Sequence, residues 1–181
     1  ALTLFERRAS VDGFASQRIP LPSGREALVI VQQGNDPTLS ALALNHHMDV
    51  VPARDAERWE NAPFDGKRLG DVVYGRGAQD MKGVGVAQYG ALLHLVRTHG
   101  KPRRTVCLLL VPDEEIGGFT GAGLLVRTEA FAALNVGYVL DEGLPSGDPG
   151  ALLLKESERR PLQLRVTSVG VAAHAARLMA A

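Results

Sequence analysis

Histidine and carboxylate side chains follow several short apolar runs of this sequence. Such groups are costly to bury unpaired, and imidazole nitrogen with carboxylate oxygen is a ligand set that zinc accepts. A site for two metal ions also needs a bridging carboxylate and a general base that takes a proton from water. The pattern therefore predicts strand ends that face bound metal. The residues at these strand ends are His46, His47, Asp49, Asp80, Asp113, Glu114, Glu115, Asp141 and Glu142. Of these, His46 is interpreted as a strand neighbour that faces the other way.

Most of these residues also have a structural explanation. Asp80 precedes a helical pattern that starts at Met81, where Asp is a favoured N-cap, and Asp49 precedes a turn at Pro52. A hydrogen-bonded structural role explains His47 better than metal binding does when this residue is taken alone. The three adjacent acids fit such an explanation less well, because they repel one another and raise their pKa values unless a cation offsets them. A solvated acidic turn is the alternative there.

Taken together, the residues divide into metal ligands and groups that act beside them. Asp80 suits the bridging position between two ions. His47 can bind metal through one ring nitrogen while Asp49 orients it. Of Glu114 and Glu115, one can bind metal and the other can act as general base. The residues alone do not assign these two roles.

Short strands and amphipathic helices must position these side chains. The segment 81–100 has apolar residues at steps of three and four and predicts a helix that ends at Gly100; a shorter helix is predicted over 119–134. Strands that alternate with helices predict the α/β class, with an open, mostly parallel sheet covered on both faces. Ligands of such sheets collect beyond the carboxyl ends of the strands. The buried strands are predicted at 27–31, 39–44, 105–111 and 136–140.

The end of the chain has a different pattern. Residues 161–169 alternate apolar and polar side chains, which is typical of a strand with one face in water. A helical pattern begins after His174, and a shift in composition precedes the whole segment. We therefore predict an incomplete first domain over 1–160, and the first strand and helix start of a second domain over 161–181.

Composition excludes some classes of partner. The 20 Lys and Arg residues balance 20 Asp and Glu residues, so no strong field favours nucleic acid or an anionic membrane. No apolar run approaches the length that crosses a bilayer. We expect a small-molecule partner, no nucleic acid and no membrane. The single cysteine, Cys107, fits a small buried hydrophobe and a reducing compartment, and the cytoplasm is the predicted location.

Five motifs occur in order along nearly the whole chain: NDPTLSALALNHHMDVVPA, VVYGRGAQDMKG, VPDEEIGG, VLDEGLP and ESERRPLQLRVTSVGVAAHAARL. In these motifs the chain resembles the aminoacylase branch of the zinc-dependent amidohydrolases and exopeptidases, which also includes acetylornithine deacetylase and carboxypeptidases. The resemblance implies a zinc-exopeptidase-like α/β fold, with 1–160 as a partial catalytic domain and 161–181 as the beginning of a lid and dimerisation domain.

The resemblance also implies roles by position. It implies two zinc ions, with a further zinc-binding histidine beyond the residues present, so we expect one ion or partial occupancy here. It implies a cis peptide bond between Asp80 and Met81, and a homodimer for the complete enzyme. The implied roles are His47 and Glu142 on one zinc, Asp80 bridging, Glu115 on the other zinc, Glu114 as general base, Asp49 supporting His47, and His174 near the reacting carbonyl, with Asp141 less favoured than Glu142 as a ligand.

The expected activity is metal-dependent hydrolysis of N-acyl-L-amino acids by an enzyme of which this chain is a fragment with an incomplete site. One alternative is a carboxypeptidase or dipeptidase with the same metal centre. Another is an inactive truncated remnant that acts only as a metal-binding or interaction module.

Overall fold

The computed structural model describes residues 1–143, 146–148, 150–151, 153–155, 157, 162 and 164–167. Its two compact units are Ala1–Glu142 and Gly143–Ala181. The helices and strands of the described residues all belong to the first unit. Within the described ranges, no helix is both long enough and apolar enough to pass through a membrane.

Strands and helices alternate along the first unit, which confirms the predicted α/β class. The strands are β1 (Ala15–Pro20), β2 (Glu26–Gln32), β3 (Ala41–His47), β4 (Lys67–Leu69), β5 (Val72–Tyr74), β6 (Val106–Val111) and β7 (Val136–Leu140). The helices are α1 (Leu2–Asp12), α2 (Val84–His99), α3 (Ala122–Leu125) and α4 (Glu129–Ala132).

Five strands form one open sheet in the order β1-β2-β6-β3-β7, and β4 pairs with β5 in a separate hairpin. β3 is parallel to both β6 and β7, whereas β2 is antiparallel to β1 and to β6. Four strands of this sheet therefore point the same way, and β2 is reversed. This arrangement confirms the prediction of a mostly parallel sheet.

Helices cover both faces of the sheet because successive side chains of a strand point to opposite faces. Leu108 of β6 shares a buried cluster with Leu92 of α2. The next residue, Leu109, shares the opposite cluster with Leu125 of α3. Cys107 is completely buried in that second cluster, and burial raises the pKa of its thiol to about 11. It is the small buried hydrophobe that the sequence predicts.

The predicted helices form with changed boundaries. α2 begins at Val84, because Asp80 has non-helical angles (φ −109°, ψ 100°), and it ends before Gly100, whose φ of 74° lies in the left-handed region. The segment predicted as one helix over 119–134 forms two short helices, α3 and α4. Thr128 separates them, since its side-chain oxygen accepts a hydrogen bond from the N–H of Phe131 and caps the start of α4.

β7 is more exposed than its sequence predicts. We expected a buried central strand, but Tyr138 is 61% exposed and Leu140 is 52% exposed. The reason is position, since β7 pairs with β3 and forms an edge of the sheet in the part of the chain that the structure describes. An apolar run shows that a strand is hydrophobic, but it does not show which elements pack against that strand.

The strand predicted at 161–169 lies in the second unit. Its described residues, Leu162 and 164–167, lie in neither a helix nor a strand, and Val166 is 93% exposed. A strand needs neighbouring strands to satisfy its backbone and cover its apolar face. The helix start expected after His174 lies outside the described residues, and the domain boundary near residue 160 stays a prediction.

Candidate metal centre

The carboxyl ends of three parallel strands meet at one edge of the sheet. His47 is the last residue of β3 and is paired with Val111, the last residue of β6. The 3₁₀ turn Glu114–Ile116 follows β6, and Glu142 follows β7. The topology therefore places the predicted histidine and glutamates at the same edge, as expected for ligand-binding residues of an open α/β sheet.

The imidazole of His47 lies at the centre of this edge and is 1% exposed. Its Nδ1 atom lies 3.1 Å from the backbone oxygen of Asp49, and its Nε2 atom lies 2.9 Å from Oδ1 of Asp80. Carboxylate oxygens of Glu114 and Glu142 each lie 3.8 Å from Nε2. The Nδ1–H group of the ring donates to the Asp49 carbonyl, and a protonated Nε2 donates to Asp80. Loss of the Nε2 proton gives the neutral ring with a lone pair directed at the carboxylates, which is the form that binds metal.

The surrounding acids control the charge of His47. Burial by itself lowers the pKa of the imidazole, but the hydrogen bond to Asp80 and the charges of Glu142 and Asp49 outweigh burial and raise it above its ordinary value. The ring thus accommodates a positive charge at this position. A cation bound among the carboxylates would offset the same negative charge.

The pKa values of the two glutamates Glu114 and Glu142 are raised as well, which for a carboxylate disfavours the charged form. Burial raises the pKa of Glu114, and repulsion from Glu115, Asp49 and Asp80 adds to the effect despite the nearby His47. The pKa of Glu142 is raised in the same way, by burial first and by Asp80 next. Within residues 1–143 no lysine or arginine forms an ion pair with these acids, although the charge of Lys82 acts on Asp49, Asp80 and Glu115 at longer range. Their concentrated negative charge fits a divalent cation better than a solvated acidic turn.

Asp80 reaches the site from the tight turn Ala78–Gly83. The peptide bond between Asp80 and Met81 is cis, as the resemblance implies. The capping explanation for Asp80 is wrong, because α2 begins at Val84 and its N-cap is Gly83. Gly77 permits the turn, since it has a φ of 81° and a Cβ there would lie 2.5 Å from Cγ1 of Val50.

Asp49 holds more of the site than the sequence indicates. Its two carboxylate oxygens accept hydrogen bonds from the backbone N–H groups of Glu114 and Glu115, both at 3.1 Å. Oδ1 also lies 3.4 Å from Nδ1 of His47. Asp49 therefore ties the end of β3 to the turn after β6, in addition to its predicted role of orienting the histidine.

We expect Asp49→Asn to weaken metal binding by about 10- to 100-fold, the usual effect of removing a group that orients metal ligands. The asparagine amide nitrogen cannot accept the second N–H, so one of the two glutamates loses its anchor. Calorimetric titration with Zn²⁺ measures the change, with Asp71→Asn in the exposed turn between β4 and β5 as the matched control. A lower melting temperature with unchanged metal affinity would reduce Asp49 to a structural role.

Other acids and histidines from the sequence lie outside the cluster. Asp113 is 2% exposed and accepts a hydrogen bond from the N–H of Thr120 at 2.8 Å, so it organises its own loop. His46 is completely buried on the opposite side of β3, where burial lowers its pKa to about 4 and a Cβ on Gly85 would lie 2.5 Å from its ring. His174 lies outside the described residues.

The remaining residues form two possible donor sets. One set contains His47, Asp80 and Glu115, and the other contains His47, Glu114 and Glu142; within each set the donor atoms lie within 4.8 Å of one another. Imidazole nitrogen with carboxylate oxygen fits zinc and related divalent ions. The sets share His47, whereas the resemblance implies that two ions share Asp80. The assignment of individual ligands stays a prediction.

An α/β sheet with a histidine and carboxylate cluster at its carboxyl edge is typical of metal-dependent enzymes. The chain belongs to the peptidase family M20/M25/M40, whose model matches residues 43–167. Membership of this family implies a divalent metal centre. The family resemblance found in the sequence is thus confirmed.

Aminoacylases are among the relatives that match along nearly the whole chain. Aminoacylase-1 of Sus scrofa is 42% identical over 181 residues, and aminoacylase-1 of Homo sapiens is 40% identical over the same length. Each match covers 99% of this chain and 44% of the relative. The chain therefore spans less than half the length of the aminoacylases that it resembles.

Solved structures show the same fold at lower sequence identity. An M20 family metallo-carboxypeptidase from Sulfolobus solfataricus matches with a TM-score of 0.67 and 24% identity, over 79% of this chain and 32% of that structure. Human carnosine dipeptidase 1 matches with a TM-score of 0.60 and 19% identity, over 77% of this chain and 31% of that structure. These similarities support the zinc-exopeptidase-like fold.

Proposed function

We propose that the protein that contains this chain hydrolyses N-acyl-L-amino acids in a zinc-dependent reaction. The observation that carries the proposal is identity near 40% to aminoacylase-1 along 99% of the chain. The cluster around His47 supplies the chemical support, because it combines metal-binding donors with a glutamate that has a raised pKa.

His47, Asp80, Glu115 and Glu142 would hold the metal in this proposal. Bound zinc would polarise the acyl carbonyl and lower the pKa of water. Asp49 keeps His47 and the two glutamates of the 3₁₀ turn in place through its hydrogen bonds. Glu142 completes the cluster from the end of β7.

Glu114 is the proposed general base. Its Oε2 atom lies 3.8 Å from Nε2 of His47, at the position where the metal donors converge. A carboxylate with a raised pKa binds a proton more firmly than an ordinary glutamate, so it can take one from the attacking water and pass it to the leaving amine. His174 is proposed to stabilise negative charge on the carbonyl oxygen.

The proposal extends to features of the whole protein. We infer two zinc ions in the complete site, with one ion or partial occupancy in this chain. A homodimer, a cytoplasmic location and a small neutral or anionic substrate belong to the same proposal. Zinc is preferred because its usual ligands are imidazole and carboxylate groups, although cobalt and manganese accept similar sets.

Substrate comparison tests the proposed function. The longest natural form of the protein is loaded with zinc and assayed with N-acetyl-L-amino acids and with unmodified dipeptides of the same side chains. We expect a higher kcat/KM for the acetyl compounds. Preference for dipeptides would favour the peptidase alternative. Absence of hydrolysis in a metal-loaded protein would favour the inactive remnant.

A further inference from the structure

Asp141 lies next to the proposed ligand Glu142 and makes two hydrogen bonds with its carboxylate. Oδ2 accepts a hydrogen bond from Nδ2 of Asn45 at 2.8 Å. Oδ1 accepts a hydrogen bond from the backbone N–H of Glu142 at 2.9 Å. One side chain therefore links the end of β3 to the backbone of Glu142.

This link begins where the backbone pairing of β3 and β7 ends. The last pair in their register is Leu44 with Leu140, and Asn45 and Asp141 are the residues that follow this pair along the chain. The side-chain hydrogen bond thus continues the connection between the strands by one further position. Glu142 follows directly and lies on a chain segment without a covering strand on its outer side in the described part of the protein.

Asn45 is a firm anchor because other elements hold its backbone. It is paired with Leu109 of β6. Its backbone oxygen accepts a hydrogen bond from Nε2 of Gln88 in α2 at 3.0 Å. The exposed edge strand β7 is consequently tied to an interior strand that also carries His47 two residues later.

We propose that Asn45 and Asp141 are positioning residues that hold Glu142 beside His47. Through them the carboxylate of Glu142 is kept at 3.8 Å from Nε2 of His47. Asp141 does not belong to either donor set among the described residues, and its two oxygens are already hydrogen-bonded. The inference rests on the proposed function, because it takes Glu142 as a metal ligand.

A charge-swap pair provides the test. Asn45→Asp places two carboxylates face to face and removes the donor to Asp141. Adding Asp141→Asn restores both bonds, since the asparagine introduced at position 141 can donate its Nδ2 proton to the carboxylate introduced at position 45 and accept the N–H of Glu142 with its oxygen. The probe is Co²⁺, followed by its dissociation constant and its visible absorption spectrum, which reports the ligand geometry.

We expect Asn45→Asp to weaken Co²⁺ binding by about 10- to 100-fold and to alter the absorption spectrum. The double variant should recover most of the affinity and the original spectrum. Asn35→Asp adds the same charge on the surface and should leave both unchanged. Asn45→Ala removes the donor without adding charge, and it replaces Asn45→Asp in the comparison if that variant does not fold.

Two results would overturn the inference: unchanged Co²⁺ binding in a folded Asn45 variant, or failure of Asp141→Asn to rescue Asn45→Asp. A purely structural pair would lower the melting temperature without changing the spectrum. The wild-type protein separates this inference from the proposed function. If it binds Co²⁺ but hydrolyses no acyl-amino acid, the proposed activity is wrong and the positioning role stands on the binding data.

Discussion

Glu114→Gln is expected to lower kcat by about 10²- to 10⁴-fold, the usual contribution of a positioned general base, while metal content stays unchanged. Glutamine has nearly the shape of glutamate but cannot take a proton from water. The backbone N–H of Glu114 bonds to Asp49, so the substitution leaves this anchor intact. Steady-state hydrolysis of an N-acetyl-L-amino acid and metal analysis of the same sample measure the two effects.

Glu129→Gln is the matched control, because Glu129 is an exposed residue in the first turn of α4. It should keep the kcat and metal content of the wild-type protein. Loss of metal from Glu114→Gln would contradict the role of Glu114 as general base. Glu114 shares a donor set with His47 and Glu142, so loss of metal in Glu114→Gln would make it a ligand and would leave the general base to another residue.

The location of the site could be predicted from the sequence because it depends on topology. Carboxyl ends of parallel strands meet at one edge, so polar residues that follow β3, β6 and β7 must come close together. His47 and Glu142, which are far apart in the chain, are brought together in this way. This rule requires both the position and the direction of each strand. Apolar runs in the sequence indicate only the positions.

The hydrogen bonds that hold the site could not be predicted in the same way. Asp49 binds two backbone N–H groups of another segment, and Asn45 binds Asp141 across the ends of two strands. Such contacts depend on atomic positions within a few tenths of an ångström. Sequence pattern specifies which residues end the strands, but it does not specify which oxygen faces which donor.

The sequence pattern also did not predict how exposed β7 is at the edge of the sheet. The apolar run of β7 predicts a covered strand, yet Leu140 is half exposed because β7 has a neighbour on one side in the described residues. The position of an edge is a property of the whole sheet. This exposure makes the link between Asn45 and Asp141 more important, since packing contributes less to the position of Glu142 than it does to that of His47.

His47→Ala is expected to abolish tight metal binding, with Kd rising by on the order of 100-fold or more, since removal of even a supporting group costs 10- to 100-fold. His47 belongs to both donor sets, and its removal leaves the carboxylates without a nitrogen donor from this edge. Because one ion or partial occupancy is proposed for this chain, metal analysis of the 181-residue chain after dialysis should find almost no zinc in the variant. His94→Ala, on the exposed side of α2, should retain the wild-type zinc content. If His47→Ala keeps one zinc ion at wild-type affinity, then Asp80 and Glu115 hold an ion without the histidine, and the shared role that the geometry assigns to His47 is wrong.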